Sequence, residues 1–134
     1  MKIRRTNKIS EVKELHKIIF PSDDLDILEE DILWIVKNDK NENVGFCSLR
    51  ILDNEIVYFN WAGLIEEAWG YGLHKRMIKT RLRWAKKHNY KYAITYALID
   101  NIQSSKNLLK AKFELYIPDY EWGDEKCLYF RRKL

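Results

Sequence analysis

A glycine-containing turn between a strand-like run and a long helix places the strongest constraint on this chain. The turn spans residues 66–76 (EEAWGYGLHKR), follows a run over 55–64, and leads into an amphipathic helix predicted from about Gly70 to His88. The first N–H groups of a helix have no partner within it, and the helix dipole adds about half a positive charge there. Gly70 and Gly72 lack a Cβ, which lets a phosphate approach the main chain. The turn therefore predicts an anion site, although the same glycine pair also suits a plain tight connection.

The turn differs from two common phosphate-binding sequences. No Gly-Lys-Ser/Thr follows it, which excludes a Walker loop, and it lacks the three-glycine spacing of a dinucleotide-binding fingerprint. Its assignment therefore depends on the rest of the chain.

The composition predicts a soluble globular protein with one domain over residues 1–134. The chain has 134 residues, of which 46% are hydrophobic and 33% charged. No apolar run approaches the roughly 20 residues needed to cross a bilayer, and the basic first ten residues are not followed by an apolar signal region. Cys47 and Cys127 have no neighbours at metal-ligand spacing, so we expect reduced thiols, no metal and a cytoplasmic location.

The two halves of the chain have opposite charge. Residues 1–67 contain 9 Lys+Arg and 14 Asp+Glu, whereas residues 68–134 contain 15 and 6. The basic half suits a phosphate-rich small molecule or a nucleic acid. The acidic half favours a protein with two ligands, an anion and a cation, over one that wraps nucleic acid.

Apolar periodicity predicts an α/β chain in the order β-α-α-β-β-β-α-β-α-β-β. A first strand at 2–5 precedes a helix over 7–20 that Thr6 or Asn7 caps, and a second, short helix begins after Ser22. Strands follow over 33–36, 44–52 and 55–64, and the helix after the glycine turn is a crossover to a parallel strand at 92–98.

The last part of the chain predicts one more helix and a strand pair. Asp100 or Asn101 caps a helix that runs to about Lys112, and strands over 113–117 and 126–132 flank an aromatic and acidic loop at 118–125. The expected fold is a single domain with a mostly antiparallel mixed sheet of about seven strands and flanking helices.

Two runs, in this order and spacing, resemble motifs of the GNAT superfamily, the Gcn5-related N-acetyltransferases. The run WGYGLHK at 69–75 is similar to the acetyl-CoA motif Arg/Gln-x-x-Gly-x-Gly/Ala. The run NIQSSKNLLKAKF at 101–113 is similar to Asn-x-x-Ala-x-x-Leu-Tyr-x-x-x-Gly-Phe, with Asn101, Ser104 and Phe113 at the Asn, Ala and Phe positions. The likeness covers the whole chain and implies a GNAT-like fold.

Several departures of the chain from these motifs bear on the expected site. Glu67 or Trp69, depending on the frame, stands where the family has Arg or Gln. Leu108 stands where the family often has a Tyr that protonates the leaving thiolate, and Lys112 stands at the usual Gly. Backbone amides must then supply most of the phosphate binding.

The resemblance implies acetyl-CoA as co-substrate and an amine as acceptor, with direct attack of the amine on the thioester in a ternary complex. The residues expected on this basis to bind the cofactor are Leu64, Ile65, Trp69, Gly70, Tyr71, Gly72, Leu73, His74, Asn101, Ser104 and Asn107. A main-chain N–H around Gly63 to Ile65, where the fourth strand splays from the fifth, is expected to stabilise the thioester oxygen.

The resemblance leaves several candidates for the catalytic base and acid. Glu55, Tyr58 and Asn60 on the fourth strand are candidates for the base, and Tyr116 or Tyr120 for the acid; a structural role fits each of them as well. Residues 119–121 of the late loop are further candidates. His74 could donate an N–H near the phosphates or lie at the edge of the core.

The acceptor is expected at an acidic segment. Asp23, Asp24 and Asp26, with Tyr120, are the predicted substrate-binding residues, because clustered carboxylates attract a cation; a solvated surface is the alternative. No nucleic-acid or membrane partner is expected, and the final strands offer an edge for a possible homodimer. The alternative to an enzyme is a non-catalytic GNAT-like module that binds CoA or a protein.

Overall fold

Eight strands and three α-helices make up the computed structural model of this chain, which describes residues 1–123 and 126–134. The strands are β1 (Lys2–Thr6), β2 (Ile32–Lys37), β3 (Asn43–Ile51), β4 (Ile56–Tyr58), β5 (Ala62–Leu64), β6 (Tyr92–Leu98), β7 (Glu114–Leu115) and β8 (Cys127–Lys133). The helices are α1 (Ile9–Ile19), α2 (Leu73–Lys87) and α3 (Ile102–Lys110), and a short 3-10 turn covers Glu66–Ala68.

The strands form one mixed sheet in the order β1-β2-β3-β4-β6-β8-β7, and β5 pairs with β3 beyond the end of β4. Only β4 and β6 pair in parallel among the described strands, and α2 connects them. The predicted mostly antiparallel mixed sheet is confirmed, as is the parallel pair joined by the crossover helix.

The sheet has an apolar cluster on each side. On one side α2 contributes Leu73, Met77 and Leu82 to the larger cluster, which includes Trp34 and Cys47. On the other side α1 packs Val12 and Leu15 against apolar side chains of β2 and β3. The two helices thus cover opposite faces, as their predicted apolar stripes require.

A β-bulge divides the predicted fourth strand into β4 and β5. Arg50 of β3 lies opposite Tyr58 of β4, whereas Cys47 of β3 lies opposite Ala62 of β5. The partner on β3 therefore retreats by three residues while this strand advances by four, so that one extra residue is inserted between the two pairs. Such an insertion bends the strand and changes the direction of its backbone groups.

The prediction of a short helix after Ser22 is wrong, because residues 22–31 form turns and irregular backbone. Tertiary partners take the groups that a helix would use: the Asp26 carbonyl accepts hydrogen bonds from the Trp61 indole and from Arg50. The Asp31 carboxylate accepts one from the Leu28 N–H at 3.0 Å. Asp26 and Asp31 thus bind groups of the sheet and of their own loop and do not belong to a helix.

Helix and strand ends also differ from the prediction. α2 begins at Leu73, three residues later than predicted, because Gly70 and Gly72 adopt the left-handed region with φ of 86° and 72°. The Thr6 hydroxyl accepts a hydrogen bond from the Lys8 N–H, but no side chain caps α1. The prediction of a loop over 118–125 extends to residues 124 and 125, which lie outside the described part of the chain.

Candidate functional site

The sheet opens at the end of the parallel pair. The last links between β4 and β6 are the Phe59 N–H, which donates to the Ile94 carbonyl at 3.0 Å, and the Thr95 hydroxyl, which donates to the Phe59 carbonyl at 2.8 Å. Beyond them β5 pairs only with β3, and the second half of β6 pairs only with β8, within the described residues. A gap between two diverging strands follows.

Backbone groups of β5 face this gap. The Ser48 N–H donates to the Trp61 carbonyl at 2.8 Å, and the Ile65 N–H donates to the Val44 carbonyl at 2.9 Å, so the odd-numbered residues point toward β3. In an antiparallel pair the intervening residues point the other way. The N–H groups of Ala62 and Leu64 therefore face the gap, while that of Ile65 is already bonded.

Trp69 closes part of the gap. Its indole N–H donates to the Leu64 carbonyl at 3.2 Å, although the side chain is 61% exposed. The indole thus occupies a backbone acceptor at the mouth of the gap and adds an aromatic surface there.

The glycine turn carries free amides at the same end of the sheet. The first α2 hydrogen bond runs from the Arg76 N–H to the Gly72 carbonyl at 3.2 Å. Among the described residues, none of the six amides from Gly70 to Lys75 has a protein acceptor. A Cβ on Gly70 or Gly72 would meet nothing within 4 Å, so the space beside these two glycines is open. Open space, six donors and a helix dipole together form an anion site.

Apolar side chains border the site on both strands. Tyr71 is 65% exposed beside Trp69 in the turn, and Ile99 and Ile102 are more than half exposed where β6 leads into α3. Exposed apolar groups on both sides of a gap suit a ligand with an apolar chain as well as phosphates. The sequence did not single out Ile99 or Ile102, because an isolated apolar residue at a helix start gives no distinct signal.

The N-terminus of α3 lies next to these residues. The Asn101 side chain caps it by accepting a hydrogen bond from the Ser104 N–H at 3.2 Å. Asn107 is buried one turn later, and its amide oxygen accepts a hydrogen bond from Gln103 at 3.2 Å. Asn101 and Asn107 are therefore engaged with α3 itself.

A buried polar network lies beside the bulge, on the face that α1 covers. The Asn60 amide accepts a hydrogen bond from the Ser48 hydroxyl at 2.6 Å and donates one to Asp31 at 3.3 Å. Arg50 bonds Asp31 at 2.9 Å and Asp26 at 3.3 Å. These carboxylates are the main reason that the pKa of Arg50 is raised, since the hydrogen bond to Asp31 is the largest cause. Sequence reasoning missed Arg50 and Ser48, which no motif distinguishes.

An aromatic cluster continues this face toward the gap. The ring of Tyr58 stacks with that of Tyr96 at 6.4 Å and meets Trp122 edge-on at 6.1 Å. Burial is the main cause that raises the pKa of Tyr58, so its hydroxyl is protonated at neutral pH. Tyr58 and Asn60 thus lie next to the gap.

The structure places the remaining predicted residues elsewhere. Glu55 lies at the opposite end of β4 and forms an exposed ion pair with Lys91 at 3.5 Å. Tyr116 lies across β8 from the gap, with its ring under Arg131 at 4.8 Å. Tyr120 is exposed, and so are Asp23 and Asp24. None of these side chains joins the network at the bulge.

The three histidines lie in different surroundings. Burial lowers the pKa of His74 in the first turn of α2, and the nearby charge of Arg81 lowers it further. Burial also lowers the pKa of His16, whose Nε2 has no partner among the described residues. In the described part of the chain no His, Cys, Asp or Glu side chains cluster as metal ligands. No described helix has the length and apolar content of a bilayer span.

A second concave surface lies at the other end of the sheet. A depression of about 530 Å³ is lined by Tyr92, Lys112, Glu114, Arg131, Arg132 and Lys133. Its four cations make it a possible anion site, but no helix N-terminus lines it among the described residues.

These features define a domain with a gap between two diverging strands and, at the same end of the sheet, a helix N-terminus whose first amides have no protein acceptor. A family model described as the acetyltransferase (GNAT) family matches residues 5–129. The chain therefore belongs to the GNAT family of acetyltransferases, as its two motifs predicted.

Solved structures with the same fold cover almost the whole chain. A GNAT family acetyltransferase from Elizabethkingia anophelis with acetyl-CoA bound is 17% identical, with a TM-score of 0.81, over 99% of this chain and 97% of that one. An IAA acetyltransferase from Bacillus cereus is 14% identical, with a TM-score of 0.84, over 99% of both. An acetyltransferase from Bacillus subtilis in complex with CoA is 17% identical, with a TM-score of 0.79, over 99% and 98%. A search of curated proteins found no match.

Proposed function

We propose that this protein is an acetyl-CoA-dependent N-acetyltransferase that moves the acetyl group to an amine of a small molecule or a protein. The observation that carries the proposal is the row of six amides without a protein acceptor, from Gly70 to Lys75, at the entrance of the strand gap. A diphosphate bound there would place the rest of the cofactor along β5. Two structural neighbours contain acetyl-CoA or CoA, which supports this choice of ligand.

In this proposal the β5 backbone holds the thioester. The N–H of Ala62 or Leu64, both of which face the gap, donates to the carbonyl oxygen as it gains negative charge. Ile65 cannot serve through its amide, because that N–H donates to the Val44 carbonyl. Trp69 must release the Leu64 carbonyl if the cofactor is to use that acceptor.

Residues near the bulge are the candidates to position the attacking amine. A lysine-like amine must lose a proton to attack, which costs about 4–5 kcal/mol at pH 7. Asn60 and Tyr58 are close to the gap, but the raised pKa of Tyr58 prevents it from acting as a base at neutral pH. They are suited to hold the amine or a water molecule, while solvent takes the proton. Glu55 is too distant from the gap for this role, since four residues of extended strand separate it from Phe59 by about 13 Å.

We infer that fewer carboxylates of the acidic segment are available to the acceptor than the sequence predicted. Arg50 neutralises Asp26 and Asp31, which leaves the exposed carboxylates of Asp23 and Asp24 to attract a cation. We expect Asp23→Asn with Asp24→Asn to raise KM for cationic amines and to leave KM for acetyl-CoA unchanged. Glu30→Gln in the same exposed segment is the matched control. Equal effects of the double substitution on both substrates would refute the acceptor assignment.

The direct test is an assay of acetyl transfer to a panel of amines, in which the release of the free CoA thiol is measured. At 100 times its dissociation constant, acetyl-CoA should also stabilise the protein by about 2.7 kcal/mol, which thermal unfolding detects. Stabilisation with thiol release from an amine supports the enzyme. The absence of both would refute the proposal.

The alternative is a module that binds CoA without catalysis, and one observation favours it. Leu108 occupies the position of the family's acid and is buried in the apolar core, so it cannot donate a proton. Stabilisation by acetyl-CoA without thiol release from any amine would support this alternative.

A further inference from the structure

A buried arginine lies beneath the point where the sheet opens. Arg81 extends from the inner side of α2 and is only 4% exposed. Its Nε donates to the Met77 carbonyl at 3.2 Å, and its Nη1 donates to the Ser48 carbonyl at 3.3 Å. Its Cζ lies 4.4 Å from the centre of the Phe59 ring. The guanidinium therefore touches both strands that border the bulge.

The bulge creates the acceptor that Arg81 uses. In a regular antiparallel pair the Trp61 N–H would donate to the Ser48 carbonyl, because the Ser48 N–H donates to the Trp61 carbonyl. Here the Trp61 N–H donates to the Ser48 hydroxyl at 3.1 Å instead. The released carbonyl accepts a hydrogen bond from Arg81, which holds the cation next to Phe59, the residue that follows β4.

No carboxylate neutralises this cation in the described part of the chain. The titratable groups whose charges couple to it are Cys47 and His74. Burial lowers the pKa of Arg81 and raises that of Cys47 to about 11, so the thiol is neutral, and the lowered pKa of His74 leaves that ring neutral near pH 7. A buried, unpaired cation is unfavourable, and an anion arriving nearby relieves the penalty.

Acetyl transfer produces such an anion. The amine nitrogen forms a bond to the thioester carbon, the C–S bond breaks, and its electron pair stays on the sulfur as a thiolate, while the amine proton goes to solvent. The family tyrosine that would protonate this sulfur is replaced by Leu108, which is buried and apolar. The chain thus lacks the usual acid and has an unpaired cation at the base of the gap.

We propose that the Arg81 guanidinium stabilises the CoA thiolate as it leaves, in place of the missing tyrosine. This inference rests on the proposed function, since it requires the thioester to lie at the bulge. Arg81 acts by charge and donates no proton. It consequently lowers the pKa of a CoA thiol bound in the gap.

The test is a pH titration of protein-bound CoA, in which the ultraviolet absorbance of the thiolate reports the pKa of the thiol. The reference is the free CoA thiol titrated under the same conditions, and we expect the bound thiol to titrate at least about one unit lower, a tenfold change in the equilibrium. Arg81→Met should return the pKa to the free value and reduce kcat about tenfold, with KM for acetyl-CoA little changed. Arg83→Met, on the exposed side of the same helix, is the matched control and should behave as the wild type.

The outcomes separate this inference from the proposed function. CoA that fails to bind the wild-type protein would refute the proposed function. CoA that binds but titrates at its free value would refute the role of Arg81 alone. The wild-type titration decides this even if Arg81→Met does not fold, and Arg81→Lys, which keeps the charge, should retain part of the lowered thiol pKa.

Discussion

Gly72 offers the sharpest test of the anion site, because a charge can be added there with little change in shape. Gly72 is the N-cap of α2, with φ of 72° and ψ of 18°, and a Cβ there would meet nothing within 4 Å. Asparagine and aspartate both tolerate this left-handed conformation better than other residues, and their side chains have nearly the same size. The pair Gly72→Asn and Gly72→Asp therefore differs by one negative charge.

The expected magnitude follows from Coulomb's law. Two unit charges about 4 Å apart repel by about 1 kcal/mol in water and by about 4 kcal/mol near a protein surface. An aspartate facing the diphosphate should therefore weaken binding between about fivefold and about a thousandfold relative to asparagine. The space around the Cβ is open, so we expect both variants to remain folded.

The assay is isothermal titration calorimetry of both variants with acetyl-CoA at low and high salt. We expect the Asp-to-Asn ratio of dissociation constants to exceed five at low salt and to fall in about 1 M salt, where the Debye length is only about 3 Å. A ratio below two at low salt would show that the diphosphate binds elsewhere.

Three further predictions concern packing and titration. Gly63→Ala places a methyl 2.7 Å from side-chain atoms at the end of α1, so thermal unfolding should show a loss of about 1–3 kcal/mol, and an unchanged midpoint would contradict this packing. Cys47 is buried with its pKa raised to about 11, so an alkylating reagent at neutral pH should modify Cys127 first in the folded protein, as mass spectrometry of peptides would show. The folded-state pKa of His16 is lowered, so the unfolded chain binds its proton more readily and stability should fall as the pH drops below about 6.5. His16→Leu should remove up to about 1.4 kcal/mol per pH unit of that slope in denaturant titrations, and an unaltered slope would contradict the assignment.

The fold was largely predictable because each element has a local signal. Strand-like runs, the apolar stripe of α2 and the Asn101 cap all follow from residue types at fixed spacing. The position equivalent to the family's Gly illustrates how a motif encodes backbone shape. Lys112 has φ of 68° just after α3, the left-handed conformation that glycine adopts without strain. The family pattern therefore located a conformation that the residue itself does not reveal.

The features around the site that sequence reasoning did not anticipate depend on contacts between distant segments. Asp23 and Asp24 suggested the first turn of a helix, but Arg50, about twenty positions later, pairs with Asp26 and Asp31 in what is an irregular segment. Glu55 was a candidate base as the only carboxylate among the candidates on the predicted fourth strand, yet the gap opens only after Phe59. Arg81 did carry a local signal, since it lies four residues after Met77 on the apolar stripe of α2.

The most direct test of the account is a backbone amide NMR titration with acetyl-CoA. We expect the resonances of Gly70 to Lys75, together with the gap-facing amides of Ala62 and Leu64, to shift with one common dissociation constant. The amides of Ile65 and of β1 should shift far less. Shifts confined to Lys112 and the residues of β8 around the basic depression, with Gly70 to Lys75 unmoved, would contradict the central claim that the glycine turn binds the cofactor.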